Sequence, residues 1–311
     1  MSEEELDEEE LEYLRRKRSL RRKIKHLLQA AAIIGALETL RFLPLSFASA
    51  FGSILFRTIC PLFKADRVAK ENLARAFPDW DQQQIQKTVT EVWDNLGRGA
   101  GEFSHVRNID PTDPDGPVEV VGLEHLTRAA DQGGFVVMSA HMANWEIAGL
   151  VCARYARPFN AIYRFAENPW MDRYFQHIRS SYSNKLLPKG VSGIRMALSG
   201  LRKGEPLGLL LDQKLNEGVP VPFFGRDAMT ASAPVEMSLA LGVPLLPARL
   251  ERVAKGPKFR ITIYPPMDPP ETGDRREDAR QILIRFHDML EGWIRERPGQ
   301  WFWVHRRWPK E

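Results

Sequence analysis

The chain predicts an α/β fold, a mixed central sheet flanked by helices, with an N-terminal helical apolar segment in front of it. Three observations carry this. Beyond residue 117, short apolar runs alternate with helical patterns, as in strands joined through helices. Residues 66–108 instead carry a purely helical period, and residues 27–63 are apolar with few charges. The length of 311 residues suits one large domain or two ordinary ones, and 43% hydrophobic with 27% charged residues suits a globular body. These shifts divide the chain into 1–26, a charged tail expected to be disordered or to lie on a membrane surface, 27–63, an apolar membrane-associated segment, and 64–311, the main domain.

The tail opens with seven acids, Glu3, Glu4, Glu5, Asp7, Glu8, Glu9 and Glu10. A basic run follows: Arg15, Arg16, Lys17, Arg18, Arg21, Arg22, Lys23 and Lys25. The net charge of +4 therefore hides a strongly basic body. Such a body suits an anionic partner: a membrane surface, a phosphorylated lipid or an acidic carrier protein. No nucleic-acid motif accompanies the run, and its apolar neighbour argues for lipid instead. Glu38, Arg41 and Arg57 interrupt the apolar segment. Its longest charge-free piece, 42–56, would be about 22 Å long as a helix, against about 30 Å of hydrocarbon. Two readings stay open, an amphipathic or hairpin segment in the interface and one imperfect span. Ala48-Ser49-Ala50 mimics a signal-peptide cleavage site, but the preceding segment is too long and too charged for one.

The later elements follow in order. Val68, Leu73, Ala76 and Phe77 mark a helix that Pro78 ends, and Ile85, Val89, Val92, Trp93 and Leu96 mark another. A connector rich in Asp, Pro and Gly spans 110–117. Strands are expected at 135–138, 159–163, 207–211, 245–253 and 259–264. Helices are expected at 145–155, 170–182, 194–201, 235–241 and 276–296, with Pro169 in a first turn, where its missing N–H costs little. Cys60 and Cys152 have no metal-ligand or redox spacing, so no disulfide framework and no metal site is expected.

Chemistry concentrates at Ser139-Ala140-His141-Met142-Ala143-Asn144-Trp145-Glu146. His141 follows an apolar strand, where α/β sheets gather reacting groups. Asn144 is a good helix N-cap, which puts Glu146 in the first turn of the next helix. The loop then lets the two side chains meet. An imidazole can take a proton from a hydroxyl, and a carboxylate on its other nitrogen fixes the tautomer. Spacing alone favours a purely structural pair, because a histidine and a glutamate five residues apart are a weak motif.

Four blocks in order sharpen this: the stretch above; Tyr163-Arg164 with Asn168-Pro169, Asp172 and Arg179; Leu211-Asp212-Gln213 with Phe223-Phe224-Gly225; and Trp303-Val304-His305-Arg306-Arg307-Trp308. From about residue 40 onward the chain resembles the bacterial lipid A biosynthesis acyltransferases of the lauroyl/myristoyl group. The resemblance implies that 64–311 is an acyltransferase domain with His141 as general base and Glu146 as its partner. It implies that Arg179, Asp212 and Arg164 serve substrate binding, and that no cofactor is needed. The implied donor is acyl carrier protein or acyl-CoA. The implied acceptor is a hydroxyl on a phosphorylated glycolipid, the implied place the cytoplasmic face of a bacterial inner membrane. His305, Arg306 and Arg307 would face headgroups or belong to a packed terminal strand. A different glycolipid or lysophospholipid acceptor, and a non-catalytic lipid-binding protein, are the alternatives.

Overall fold

The computed structural model describes residues 8–157 and 159–309, with side chains from residue 19. The first seven residues of the acidic tail lie outside the described residues. The remainder of the charged tail is not disordered but helical, since α1 (Glu8–Leu40) runs unbroken through residue 26 into the apolar segment. Pro44 starts α2 (Leu45–Ile59), and α3 (Lys64–Ala76) and α4 (Gln82–Glu102) follow. Asp81 and Gln84 close a capping box at the start of α4.

After the connector come β1 (Val118–Val121), α5 (Leu123–Gln132), β2 (Val136–Ser139), α6 (Glu146–Tyr155), β3 (Phe159–Tyr163) and α7 (Pro169–Arg179). Then β4 (Ser183–Pro188), α8 (Val191–Arg202) and β5 (Leu207–Leu210) lead to a hairpin of β6 (Val219–Phe223) and β7 (Arg226–Thr230). The chain ends through α9 (Ala233–Leu241), β8 (Leu245–Arg252), β9 (Phe259–Ile263) and α10 (Arg275–Glu296). Seven strands form one sheet in the order β1-β9-β8-β2-β5-β3-β4, and only β8 and β9 pair antiparallel. The mixed sheet expected from the alternation is therefore present.

Alternate residues of β2 explain the layering. Val136 and Met138 enter one core with Ala197 of α8, Val235 of α9 and Phe286 of α10. Phe135 and Val137 face the other way, onto Leu126 of α5 and Ile147 of α6. All eight residues of β8 are buried, as a central strand requires.

Some features of the hairpin and the C-terminal segment depart from the sequence reading. The β6–β7 hairpin was not expected, because Pro220 and Pro222 argue against a strand. They fit here because the ribbon has only two strands, so neither needs to donate to a third. Its tight turn places Phe224 at φ 51° and Gly225 at φ 69°, both in the left-handed region that two-residue hairpins use. The terminal Trp303–Trp308 block is not a strand. Nor does it form a basic face: Arg307 is 1% exposed and donates to Thr230 Oγ1 at 2.6 Å and to the Met229 carbonyl at 2.9 Å. Arg306 pairs with Glu71 at 2.9 Å.

Helix α2 is bound closely to α4. A Cβ on Gly52 would lie 2.1 Å from the carbonyl oxygen of Gly97, and one on Gly101 2.1 Å from that of Ala48. Only glycine allows this approach. Ser49 donates to Glu102 at 2.7 Å and Ser53 to Asp94 at 2.5 Å across the same contact. The stretch Leu45–Leu62 is long and apolar enough to cross a membrane, yet one face is closed against the body of the protein.

Candidate active site

Strands β2, β5, β3 and β4 all run the same way, so their carboxyl ends share one edge of the sheet. In the β2–β5 register Ser139 lies beside Leu210. Two residues further along each strand stand His141 and Asp212. Parallel pairing thus brings together two groups 71 positions apart.

The contact is direct. His141 Nδ1 lies 2.7 Å from Asp212 Oδ1, and the His141 backbone N–H donates to Oδ2 at 2.8 Å. Trp301 Nε1 donates to the same Oδ2 at 2.8 Å. Burial would push the Asp212 carboxyl up, but the imidazole, the backbone N–H and the indole outweigh it and hold the pKa at about 2. A permanent carboxylate on Nδ1 keeps the proton there and leaves Nε2 as an acceptor. Gln213 Nε2 reaches that atom at 3.2 Å. Trp145 and Phe302 flank the ring at 5.1 and 5.6 Å between centroids. The His141 side chain keeps 15% of its surface exposed.

The carboxylate expected on the imidazole was that of Glu146. The structure puts Asp212 there instead. Glu146 points to the end of α7, where Arg179 Nε and NH2 grip it at 3.1 and 2.5 Å and the Tyr182 hydroxyl donates to it. Burial raises the Glu146 pKa and Arg179 more than reverses that, so the carboxyl lies below its ordinary value. The Arg179 guanidinium also sits over Tyr163 at 5.0 Å, Phe103 at 5.8 Å and Phe175 at 5.9 Å. Asp212 is 3% exposed with its oxygens engaged, so it orients His141 and does not present itself to substrate. Arg164 stands exposed just past β3, outside this cluster, and has no ion-pair partner among the described residues.

The loop carrying His141 is held from behind. Ala143 has φ 49°, a strained value for a residue with a Cβ. Its N–H donates to the Gln300 carbonyl at 2.9 Å and its carbonyl accepts from Asn95 Nδ2 at 3.2 Å. Asn144 does not cap α6 with its side chain; it donates to Glu102 Oε2 at 3.0 Å. Glu102 is fully buried and grips Arg252 through both oxygens, at 2.6 and 3.0 Å. Asn95, Glu102 and Arg252 were not singled out from sequence, and Trp301 only as packing for a terminal strand. They lie far from the motif along the chain, and none stands in a recognisable pattern with it.

The profile of the bacterial lipid A biosynthesis acyltransferases matches residues 16–310. The lipid A biosynthesis palmitoleoyltransferase of Escherichia coli (strain K12) is 27% identical over 254 residues, 79% of each chain. The lauroyltransferase of the same organism is 25% identical over 252 residues, 78% of each chain. The phosphatidylinositol mannoside acyltransferase of Mycolicibacterium smegmatis is 24% identical over 197 residues, 61% of this chain and 62% of that one. With a profile match running through nearly all of its length, the chain belongs to the bacterial lipid A biosynthesis acyltransferase family.

Proposed function

We propose that this protein transfers a fatty acyl chain from a thioester, on acyl carrier protein or CoA, to a hydroxyl of a phosphorylated glucosamine lipid, forming a secondary ester. The observation that carries the mechanism is the His141–Asp212 pair, which holds Nδ1 on a buried carboxylate and leaves the imidazole partly exposed past the end of β2. Nε2 takes the acceptor's hydroxyl proton as the oxygen attacks the thioester carbonyl. The resulting imidazolium is stabilised by Asp212. The tetrahedral adduct then expels the thiolate, which receives that proton from Nε2. The C–O bond forms, the C–S bond breaks, and the imidazole returns neutral.

Both cysteines are poor nucleophiles. Burial pushes the Cys152 thiol up to about 12, and burial with the nearby Asp66 raises Cys60. This supports direct transfer without an acyl-enzyme. Arg179, fixed by Glu146, supplies a cation for an anionic or carbonyl group of a substrate, and Arg164 one for a phosphate.

A membrane surface suits the substrates and the exterior. Leu20, Ile24, Leu27 and Leu28 recur at helical spacing as an exposed stripe on α1. Arg21, Arg22, Lys23 and Lys25 stand around it. On α2, Phe47, Phe51, Ile54, Leu55 and Ile59 are exposed opposite the α4 contact. This pattern favours a pair of helices lying in the interface, on the cytoplasmic face of the inner membrane where an acyl carrier protein is available.

The test is mass spectrometry of lipid A from cells lacking the protein. Loss of one secondary acyl chain supports the reading, and an unchanged lipid A overturns it. The likeness to phosphatidylinositol mannoside acyltransferases favours a second acceptor class, which a panel of glycolipid acceptors with one fixed donor would separate.

A further inference from the structure

The loops that leave β3 and β4 carry a pattern that, Arg164 aside, the proposed reaction does not use. Strand register sets Tyr163 beside Pro188, so the next residues on each strand, Arg164 and Lys189, are neighbours on the edge that bears His141. Each cation is followed closely by an exposed apolar side chain: Phe165 is 49% exposed and Val191 70%. The same alternation continues on α8 with Arg195 and Met196, 47% exposed, while Trp170 at the start of α7 is 46% exposed. Arg164, Lys189 and Arg195 have no acidic partner among the described residues. Glu167 is the only acid between Arg164 and Trp170, and none lies between Lys189 and Met196.

Solvent alone gives no reason to set unpaired cations beside large exposed apolar groups. A headgroup layer does: the apolar groups enter the acyl boundary, tryptophan favours that depth, and long cationic side chains reach back to phosphates. The rim is also continuous with the first helix. Asn168 Nδ2, in the β3–α7 loop, donates to the His26 carbonyl at 2.8 Å. That carbonyl lies within the stretch of α1 where Ile24, Leu27 and Leu28 are exposed.

We infer that the β3–α7 and β4–α8 rim is a second membrane-contacting surface, fitted to anionic lipid headgroups, which seats the His141 edge of the sheet against the bilayer. The inference rests on the lipid-surface reading of α1 and α2 and adds a contact made by the catalytic domain itself. With this edge against the bilayer, an acceptor anchored there meets His141 without its acyl chains passing through water.

The experiment uses the full chain with a nitrobenzoxadiazole label on Val191→Cys, or on Lys203→Cys at the opposite edge of the sheet, both in a Cys60→Ser background. Cys152 is buried and does not compete for label. The probes are vesicles of phosphatidylcholine alone and of phosphatidylcholine mixed with phosphatidylglycerol. On the anionic vesicles the label on Val191→Cys should brighten and shift to the blue while that on Lys203→Cys stays unchanged. Lys189→Gln and Arg195→Gln should each weaken binding to those vesicles about five-fold at low salt, with no effect on phosphatidylcholine alone. Protein that pellets with anionic vesicles while the label on Val191→Cys stays in water overturns the rim and leaves attachment by α1 and α2 intact. An equal response from both labels also overturns the rim. Failure to pellet at all removes the lipid-surface reading and the rim with it.

Discussion

In the proposed mechanism the imidazole and its carboxylate decide the chemistry, and the two carboxylates of the site can be told apart. His141→Ala should lower the transfer rate roughly 10²–10⁴-fold, as loss of a general base does. Asp212→Asn should fall into the same range, chiefly in kcat, because an amide does not hold the proton on Nδ1 or stabilise the imidazolium. Glu146→Gln should act differently: Arg179 loses its charged partner while largely buried, so the fold should lose on the order of 3–5 kcal/mol. Steady-state kinetics and thermal denaturation on all three variants check this. A full-strength Asp212→Asn enzyme beside a stable Glu146→Gln protein with kcat abolished would restore Glu146 as the imidazole's partner. His141 was legible because a histidine after an apolar strand and before a helix has local context. Its partner was not, because Glu146 is near in sequence whereas Asp212 becomes near only through parallel pairing of β2 with β5. The cue available was an aspartate standing just past another buried strand.

Elements were read best where an apolar period stood between clear breakers. The expected strand at 159–163 coincides with β3, and the closing helix differs from α10 by one residue. β1 and β4 escaped notice because four residues, or a stretch opening Ser-Asn-Lys, give too little alternation. The hydrophobicity of α2 was plain, but its partner was not. What closes α2 on α4 is a set of small residues, Ala48 and Gly52 against Gly97 and Gly101, which carry little hydrophobic signal. Gly52→Ala should therefore destabilise the protein by about 1–3 kcal/mol through overpacking. Gly35→Ala on α1, where an added Cβ meets nothing within 4 Å, should stabilise by about 0.5–1 kcal/mol through helix propensity. The two melting temperatures should move in opposite directions. If Gly52→Ala rises with Gly35→Ala, the helices are not locked at this contact.

Across the whole molecule, the fold class follows from alternation alone, while the way the C-terminal segment closes the core does not. That closure buries His287, whose Nδ1 faces the Pro222 carbonyl at 3.3 Å and whose Nε2 faces Arg307 NH2 at 3.4 Å. Arg307 is a donor only, so Nε2 accepts and the ring is neutral. Burial, then the Arg307 charge, lowers the His287 pKa to about 3. An unfolded histidine takes a proton near pH 6.5. Between these values the unfolded chain binds a proton that the folded one refuses, so His287 makes stability fall as pH falls through that window. The full slope is about 1.4 kcal/mol per pH unit. Asp212 works in the same direction lower down: its stabilisation is complete above the ordinary carboxylate pKa of about 3.9 and is lost as pH approaches its folded value of about 2. His287→Gln keeps a donor and an acceptor but cannot titrate. Its stability curve should run flatter than that of the unsubstituted protein from pH 6.5 down to about pH 4, measured by denaturant melts at each pH. Parallel curves would mean that the closure of the C-terminal segment does not depend on a neutral imidazole.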